Sequence, residues 1–124
     1  SCQLDWCGDL LQGHHYAQEL QIRLYILTKT DGSIGHGSYL MSSNGYVWSN
    51  SNAAENIKQN GFSFQTGSSV TVEFDPINKK VIYTMEADPH PHRHEQTISL
   101  AANPLGAVHF CANLCSKNDE IRIL

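Results

Sequence analysis

The chain has few basic residues and no cluster of them. It contains 8 Lys and Arg against 12 Asp and Glu, which gives a formal net charge of −4 over 124 residues. Proteins that bind nucleic acid generally present a basic patch to the phosphates, and the scattered cations of this sequence form none. The composition therefore argues against nucleic acid as a partner.

Long apolar runs and glycosylation signals are also missing. No stretch approaches the roughly 18 consecutive apolar residues of a membrane-spanning helix, so we expect no membrane partner. No Asn-x-Ser/Thr sequence occurs either, which slightly disfavours a secreted eukaryotic protein. We predict a cytoplasmic protein, with a secreted one as the alternative.

The sequence holds no motif that indicates catalysis. Gly35-His36-Gly37-Ser38 lacks the Gly-x-Ser-x-Gly spacing of a nucleophile elbow. His109 and Cys111 would be neighbours on one face of a strand, but no third group that would orient the base is in view. We therefore predict that the protein is not an enzyme.

Alternating apolar residues are the most informative feature that is present. Between Gly61 and Met85 the sequence reads GFSFQTGSSVTVEFDPINKKVIYTM. Phe62 and Phe64 alternate, Val70–Phe74 is apolar at every second residue, and Val81–Met85 repeats the pattern. A period of two places such residues on one face of a pleated strand. The stretch therefore predicts a β-meander that buries one face.

The rest of the chain adds further short strands separated by turn signals. Asn44-Gly45 is a strong hairpin signal, and Ser51–Asn60 is a loop or one helical turn. Residues 1–19 show no clean periodicity. The pattern predicts an all-β antiparallel sandwich or jelly roll of about seven to nine strands in one domain, residues 1–124. The additional strands are expected at Leu20–Thr28, Thr97–Ala101 and Ala107–Cys115.

Three stretches, in their order along the chain, resemble the C-terminal part of a SPRY domain, a jelly-roll-like interaction module. GHGSYLMSSNGYVWSN is similar to a Gly/Ser-rich hairpin, and the Gly61–Met85 stretch is similar to a strand pair entered after a glycine and left through an Asp-led turn. AVHFCANLCSKNDEIRIL is similar to the closing strand pair. The resemblance covers residues 35–124.

The sequence departs from the SPRY pattern at three places. Ser68-Ser69 stands where an acidic residue usually follows the glycine, and the loop Pro89–His94 replaces an Asn-Gly turn. Residues 1–34 do not clearly match the first strands of the domain. Without those strands a sheet edge would stay open, so this segment or a second chain must pair with it.

The resemblance implies a non-catalytic module that binds a protein or peptide. We expect this module to be part of a larger protein. Because such partners bind on variable loops, the candidate anchors are positional: Tyr39, Tyr46 and Trp48. Tyr46 and Trp48 would share one face of a strand, either in the core or as a stacking platform. The alternative is a secreted, disulfide-stapled jelly roll that binds glycans or self-associates through open edges.

Three histidines at alternate positions suggest a metal-binding domain as a further alternative. His90, His92 and His94 lie within five residues, and imidazole is a common ligand of Zn²⁺, Cu²⁺ and Ni²⁺. The Pro-x-Pro start of this loop limits how closely the rings can converge. The other interpretations are an exposed histidine-rich loop and a surface that responds to pH. No other cofactor is expected.

Four cysteines form two pairs along the sequence. Cys111 and Cys115 on one strand would lie about 13 Å apart, too far for a mutual disulfide. A bridge from them would have to reach Cys2 or Cys7, and reduced thiols are the favoured alternative. Cys2 and Cys7 followed by His14-His15 have nearly zinc-finger composition, but their spacing does not match structural zinc sites.

Overall fold

The computed structural model describes seven segments of the chain, and all structural statements below concern them. These are residues 3–6, 16–23, 39–49, 52–75, 77–98, 110–113 and 120–124.

The regular structure of these segments is β-strand, apart from one 3-10 turn at Ala53–Glu55. The turn confirms the helical alternative for Ser51–Asn60. In chain order the strands are β1 (Gln3–Trp6), β2 (Tyr16–Arg23), β3 (Tyr39–Ser42), β4 (Val47–Ser49), β5 (Ser69–Asp75), β6 (Lys80–Met85), β7 (His92–Thr97), β8 (Phe110–Asn113) and β9 (Glu120–Ile123).

The strands form two antiparallel sheets. Four strands lie in the order β4-β3-β1-β8, and five lie in the order β7-β6-β5-β2-β9. Every pairing between them is antiparallel. The protein is therefore all-β over the described residues, as the sequence predicts.

The N-terminal segment supplies one inner strand to each sheet. In β1, Leu4 lies opposite Met41 on one side and Ala112 on the other. In β2, Leu20 lies opposite Val70 and Ile123. The segment that matches the SPRY pattern least thus pairs on both sides. The strand predicted at Leu20–Thr28 begins earlier, at Tyr16, and residues 24–28 lie outside the described residues.

The alternation in the Gly61–Met85 stretch is confirmed at Phe62 and Phe64 and in β5, whereas in β6 Ile82 is buried together with Val81 and Tyr83. In β5 every second residue, from Val70 to Phe74, is buried. Phe62 and Phe64 also point inward, while Ser63 between them makes an isolated bridge to Asn44. This first part of the stretch therefore follows the predicted pattern without forming a named strand.

One hydrophobic cluster receives side chains from both sheets. Two buried hydrogen bonds connect the sheets beside it: Tyr83 Oη donates to the Tyr39 carbonyl at 3.0 Å, and Gln96 Nε2 donates to the Trp48 carbonyl at 2.6 Å. The buried members of the cluster are Tyr39, Met41, Val47, Phe62, Phe64, Val70, Val72, Phe74, Val81, Tyr83 and Ile98.

Both predicted turns are present. Gly45 has φ +84° between β3 and β4, which are paired as a hairpin. At the end of β5, one carboxylate oxygen of Asp75 accepts from the amides of Ile77 and Asn78, at 3.0 Å each. A left-handed residue, Lys79 at φ 55°, then leads into β6.

The segment read from the sequence as a histidine-rich loop, Pro89–His94, runs into an edge strand. β7 begins at His92, directly after Pro91, and among the described strands it forms an edge of the five-stranded sheet. Pro89 and Pro91 both precede β7, so neither removes a hydrogen-bond donor from the pairing of β7 with β6. The predicted strand at Thr97–Ala101 is therefore wrong in its start; residues 99–101 lie outside the described residues.

Ile57 is held in an unfavourable conformation on the surface. It has φ 60°, a region that disfavours β-branched residues. Its amide donates to the Val47 carbonyl at 3.0 Å, and the Val47 amide donates to the Lys58 carbonyl at 2.9 Å. These bonds fix the segment along β4 and impose the conformation on a side chain that is 55 % exposed.

We predict that Ile57→Asn stabilises the fold by about 1 kcal/mol, because asparagine tolerates the left-handed region at lower cost. Chemical denaturation measures the free energy of unfolding. Ile77→Asn is the matched control, since Ile77 is 79 % exposed and has no positive φ. An Ile57→Asn variant no more stable than this control would show that the site is not strained.

Candidate functional site

A cleft of about 460 Å³ opens at the end of the five-stranded sheet where β5 begins and β6 ends. Among the described residues its lining combines four hydroxyl groups with one thioether and one carboxylate. The lining residues are Gly67, Ser68, Ser69, Thr71, Thr84, Met85 and Glu86.

The floor of the cleft follows from the alternation of the two strands. Val72 and Tyr83 face the core, so Thr71 and Thr84, one residue away along each strand, point to the opposite face. The two threonines are directly paired across the ladder. The same period that builds the core therefore places a pair of hydroxyl groups on the outer face.

A tight turn forms one wall of the cleft. Gly67 has φ +88°, and a side chain added there would meet no atom within 4 Å. The Ser68 amide donates to the Gln65 carbonyl at 2.9 Å, and the Gln65 amide donates to Ser68 Oγ at 3.0 Å. The turn is thus fixed by its own hydrogen bonds while its outer side faces open space.

The segment from Glu86 to Pro91 leaves β6 at the same end of the sheet. Asp88, Pro89, His90 and Pro91 are all exposed. The hydroxyls and the carboxylate that line the cleft among the described residues are suited to hydrogen bonding with a bound ligand.

The three aromatic residues named from the sequence do not form a binding surface together. Tyr39 is 2 % exposed and Trp48 is 4 % exposed, which corrects their interpretation as surface anchors. Their carbonyls also accept the bonds between the sheets. Tyr46 is half-buried and precedes β4. None of the three lines the cleft.

Two of the three histidines lie in a strand at the edge of the described sheet instead of in a loop. His92 and His94 are on the core side of β7, where their rings stack on Phe62 at 5.6 Å and on Tyr83 at 6.1 Å. His90 lies in the exposed bend before the strand. Within the described segments, no three His, Cys, Asp or Glu residues are grouped to hold a metal ion. The metal interpretation gains no geometric support from these residues.

Burial controls the electrostatics of His94. Desolvation lowers the pKa of its imidazole, and the nearby Glu55 and Glu95 carboxylates partly oppose that shift. Its Nε2 atom is buried and has no hydrogen-bond partner in the described structure. A proton added there would bring a charge with no acceptor to the core, which is costly.

Glu95 lies on the opposite, outer side of β7. Hydrogen bonds from Lys80 and then from Arg93 lower the pKa of its carboxyl. Lys80 Nζ lies 2.8 Å from Glu95 Oε2, and Arg93 contacts Oε1. Because all three side chains are at least a third exposed, water screens the pairs and their contribution to stability is small.

Most of the residues in the predicted disulfide and zinc arrangements lie outside the described residues. This applies to Cys2, Cys7 and Cys115, and to His14-His15. Cys111 is in β8, with its backbone opposite Asp5 of β1. The choice between thiols and a disulfide stays a prediction.

The sequence interpretation missed the cleft, although one signal for it was available. Counting back from the Asp75-led turn pairs Asp75 with Lys80 and therefore Thr71 with Thr84. Both residues would then be placed on the outer face. That a turn at Gly67 rises beside them is not visible in the pattern, because it depends on the path of Gln65–Ser68.

Comparison of the chain with protein-family models, with curated proteins and with solved structures gives no match. In the described segments, no helix has the length and apolar character needed to cross a membrane.

We predict that the stability of the fold declines as the pH falls below about 6.5, the ordinary histidine pKa. The pKa of His94 is lower in the folded chain, so the unfolded chain takes up the proton first. The stabilising contribution is complete above the unfolded pKa and is lost as the pH falls to the folded pKa. One such group raises the unfolding constant by at most about tenfold per pH unit.

Thermal or chemical denaturation across this pH range measures the effect. His94→Phe retains an aromatic ring beside Tyr83 and removes the titration, so its stability should depend less on pH. His90→Phe, at an exposed position, should behave like the wild type. Equal pH dependence in the His94→Phe variant and the wild type would contradict the assignment.

Proposed function

We propose that this chain is a non-catalytic β-sandwich module that binds an extended segment of a partner protein in the cleft beside Gly67. The observation that carries the proposal is the cleft itself, a hydroxyl-lined concavity between the Gly67 turn and the end of β6.

The sandwich arrangement is supported by the shared core. Both sheets contribute side chains to one cluster, and Tyr83 and Gln96 each bond from one sheet to a carbonyl of the other. Two antiparallel sheets that bury one face against each other are the usual solution for such a pattern.

The position of the cleft agrees with what the SPRY resemblance implies. Partners of that family bind at one end of the sandwich on variable loops. Here the Gly67 turn and the Glu86–Pro91 segment lie at one end of the five-stranded sheet, because β5 begins and β6 ends there. The cleft lies beside both.

The chemistry of the lining suits a peptide. An extended peptide carries one N–H donor and one C=O acceptor per residue, and the hydroxyls of Ser69, Thr71 and Thr84 can both donate and accept. Glu86 adds a carboxylate for an amide or a cation. The volume lies within the roughly 300–1,000 Å³ of ordinary ligand sites. The module would act within a larger, cytoplasmic protein.

We predict that Thr84→Trp weakens peptide binding at least tenfold, because the indole fills the cleft. Ligands are first selected from a display library of random peptides against the wild-type protein, and affinities are then measured by calorimetry. Tryptophan is favourable in strands, so the fold should be retained, which a melting curve verifies.

Thr97→Trp is the matched control. Thr97 is exposed on the same side of β7 as Arg93, and Arg93 is paired with Thr84. Thr97 lies four positions further along the strand than Arg93, at a distance of about 13 Å. If the Thr84→Trp variant bound the peptide as tightly as the wild type, the cleft would be excluded as the binding site. A library without any specific binder, together with binding on a glycan array, would favour the glycan-binding alternative.

A further inference from the structure

The edge of the five-stranded sheet formed by β7 has an unusual distribution of charge. Within the described segments, β7 is bonded to β6 on one side and is the last strand in the order. Arg93 and Glu95, two residues apart, are both exposed on its outer face. An edge strand of this kind presents a row of backbone groups that a further strand can use.

The hydrogen-bond pattern identifies which backbone groups face outward. The Ile98 amide donates to the Lys79 carbonyl at 2.8 Å, one step beyond the pairing of Thr97 with Lys80. Bonded and non-bonded pairs alternate along an antiparallel ladder. His92 and His94 lie an even number of residues from Ile98, so their backbone groups also bond to β6. Arg93 and Glu95 direct their N–H and C=O groups to the open side.

We propose that β7 pairs antiparallel with β7 of a second copy of this chain, about a two-fold axis at His94. In that register Arg93 lies opposite Glu95 of the second copy, and Glu95 lies opposite Arg93 of the second copy. Both residues of each pair offer outward backbone groups, so each pair exchanges two backbone hydrogen bonds. Each pair also places opposite charges side by side, which is favourable across strands.

The charges select this register over its neighbours. A shift that moves the axis to Arg93 places the two arginines opposite each other, and a shift to Glu95 does the same with the two carboxylates. Like charges directly opposite are unfavourable. If the axis lay between two consecutive residues, each residue with outward backbone groups would lie opposite one whose groups point back to β6. The outer face of one copy would then continue the core-facing side of the other. The edge is therefore complementary to itself in one arrangement.

The bonds that Arg93 and Glu95 make within one chain do not prevent this pairing. Their side chains are exposed, as is that of Lys80, and exposed pairs contribute little to stability. Exchanging the intrachain partner for one in the second copy therefore costs little. Because a single pair of strand edges buries less than the roughly 1,200 Å² of stable interfaces, we expect a weak, reversible dimer that forms at high protein concentration.

Sedimentation velocity over a concentration series up to the millimolar range tests the proposal. The wild type should dimerise, and Arg93→Glu and Glu95→Arg should each associate at least tenfold more weakly. An equimolar mixture of these two variants should form a heterodimer, because one edge is then acidic and the other basic. The double variant with both substitutions should dimerise again. Melting curves verify that every variant is folded.

Two controls make the same change in net charge at other exposed positions. Lys58→Glu matches Arg93→Glu, and Glu120→Arg, in β9 at the other side of the sheet, matches Glu95→Arg. Both should dimerise like the wild type. A wild type that stays monomeric, single variants that dimerise equally well, or a mixture that does not associate would each overturn the proposal.

Discussion

The hydrogen bond between Tyr83 and the Tyr39 carbonyl is the contact on which the rest of the described structure depends. The Tyr83 side chain is fully buried, and a buried phenol needs a partner for its hydroxyl. That partner lies in the other sheet, at 3.0 Å. A buried polar group that loses its hydrogen-bond partner costs about 1–3 kcal/mol. The contact thus fixes which face of β6 is inside.

Once Tyr83 faces inward, the functional surfaces follow from strand geometry. Thr84, the next residue, must face outward, and its pairing with Thr71 builds the floor of the cleft. The pairing of Tyr83 with His94 sets the register of β7. That register turns His94 toward the core and leaves Arg93 and Glu95 on the outside. The cleft and the charged edge are therefore two consequences of one constraint.

Features determined locally could be predicted from the sequence, and those determined by distant contacts could not. The alternation of Val70–Phe74 and the turn at Asn44-Gly45 follow from side-chain period and backbone preference, and both are observed. β7 was missed because its inward residues are histidines and Gln96, whose burial depends on Phe62, Tyr83 and the Trp48 carbonyl. The cleft required the turn at Gly67 to meet the end of β6.

Nuclear Overhauser effects measured between the two sheets test the central claim most directly. The account predicts cross-peaks from the ring of Tyr83 to the backbone of Tyr39 and Leu40, and from the side-chain amide of Gln96 to the backbone near Trp48. Cross-peaks between Thr71 and Thr84, within one sheet, serve as the internal reference. If those appear and the contacts between the sheets do not, the shared core and the surfaces that depend on it are contradicted.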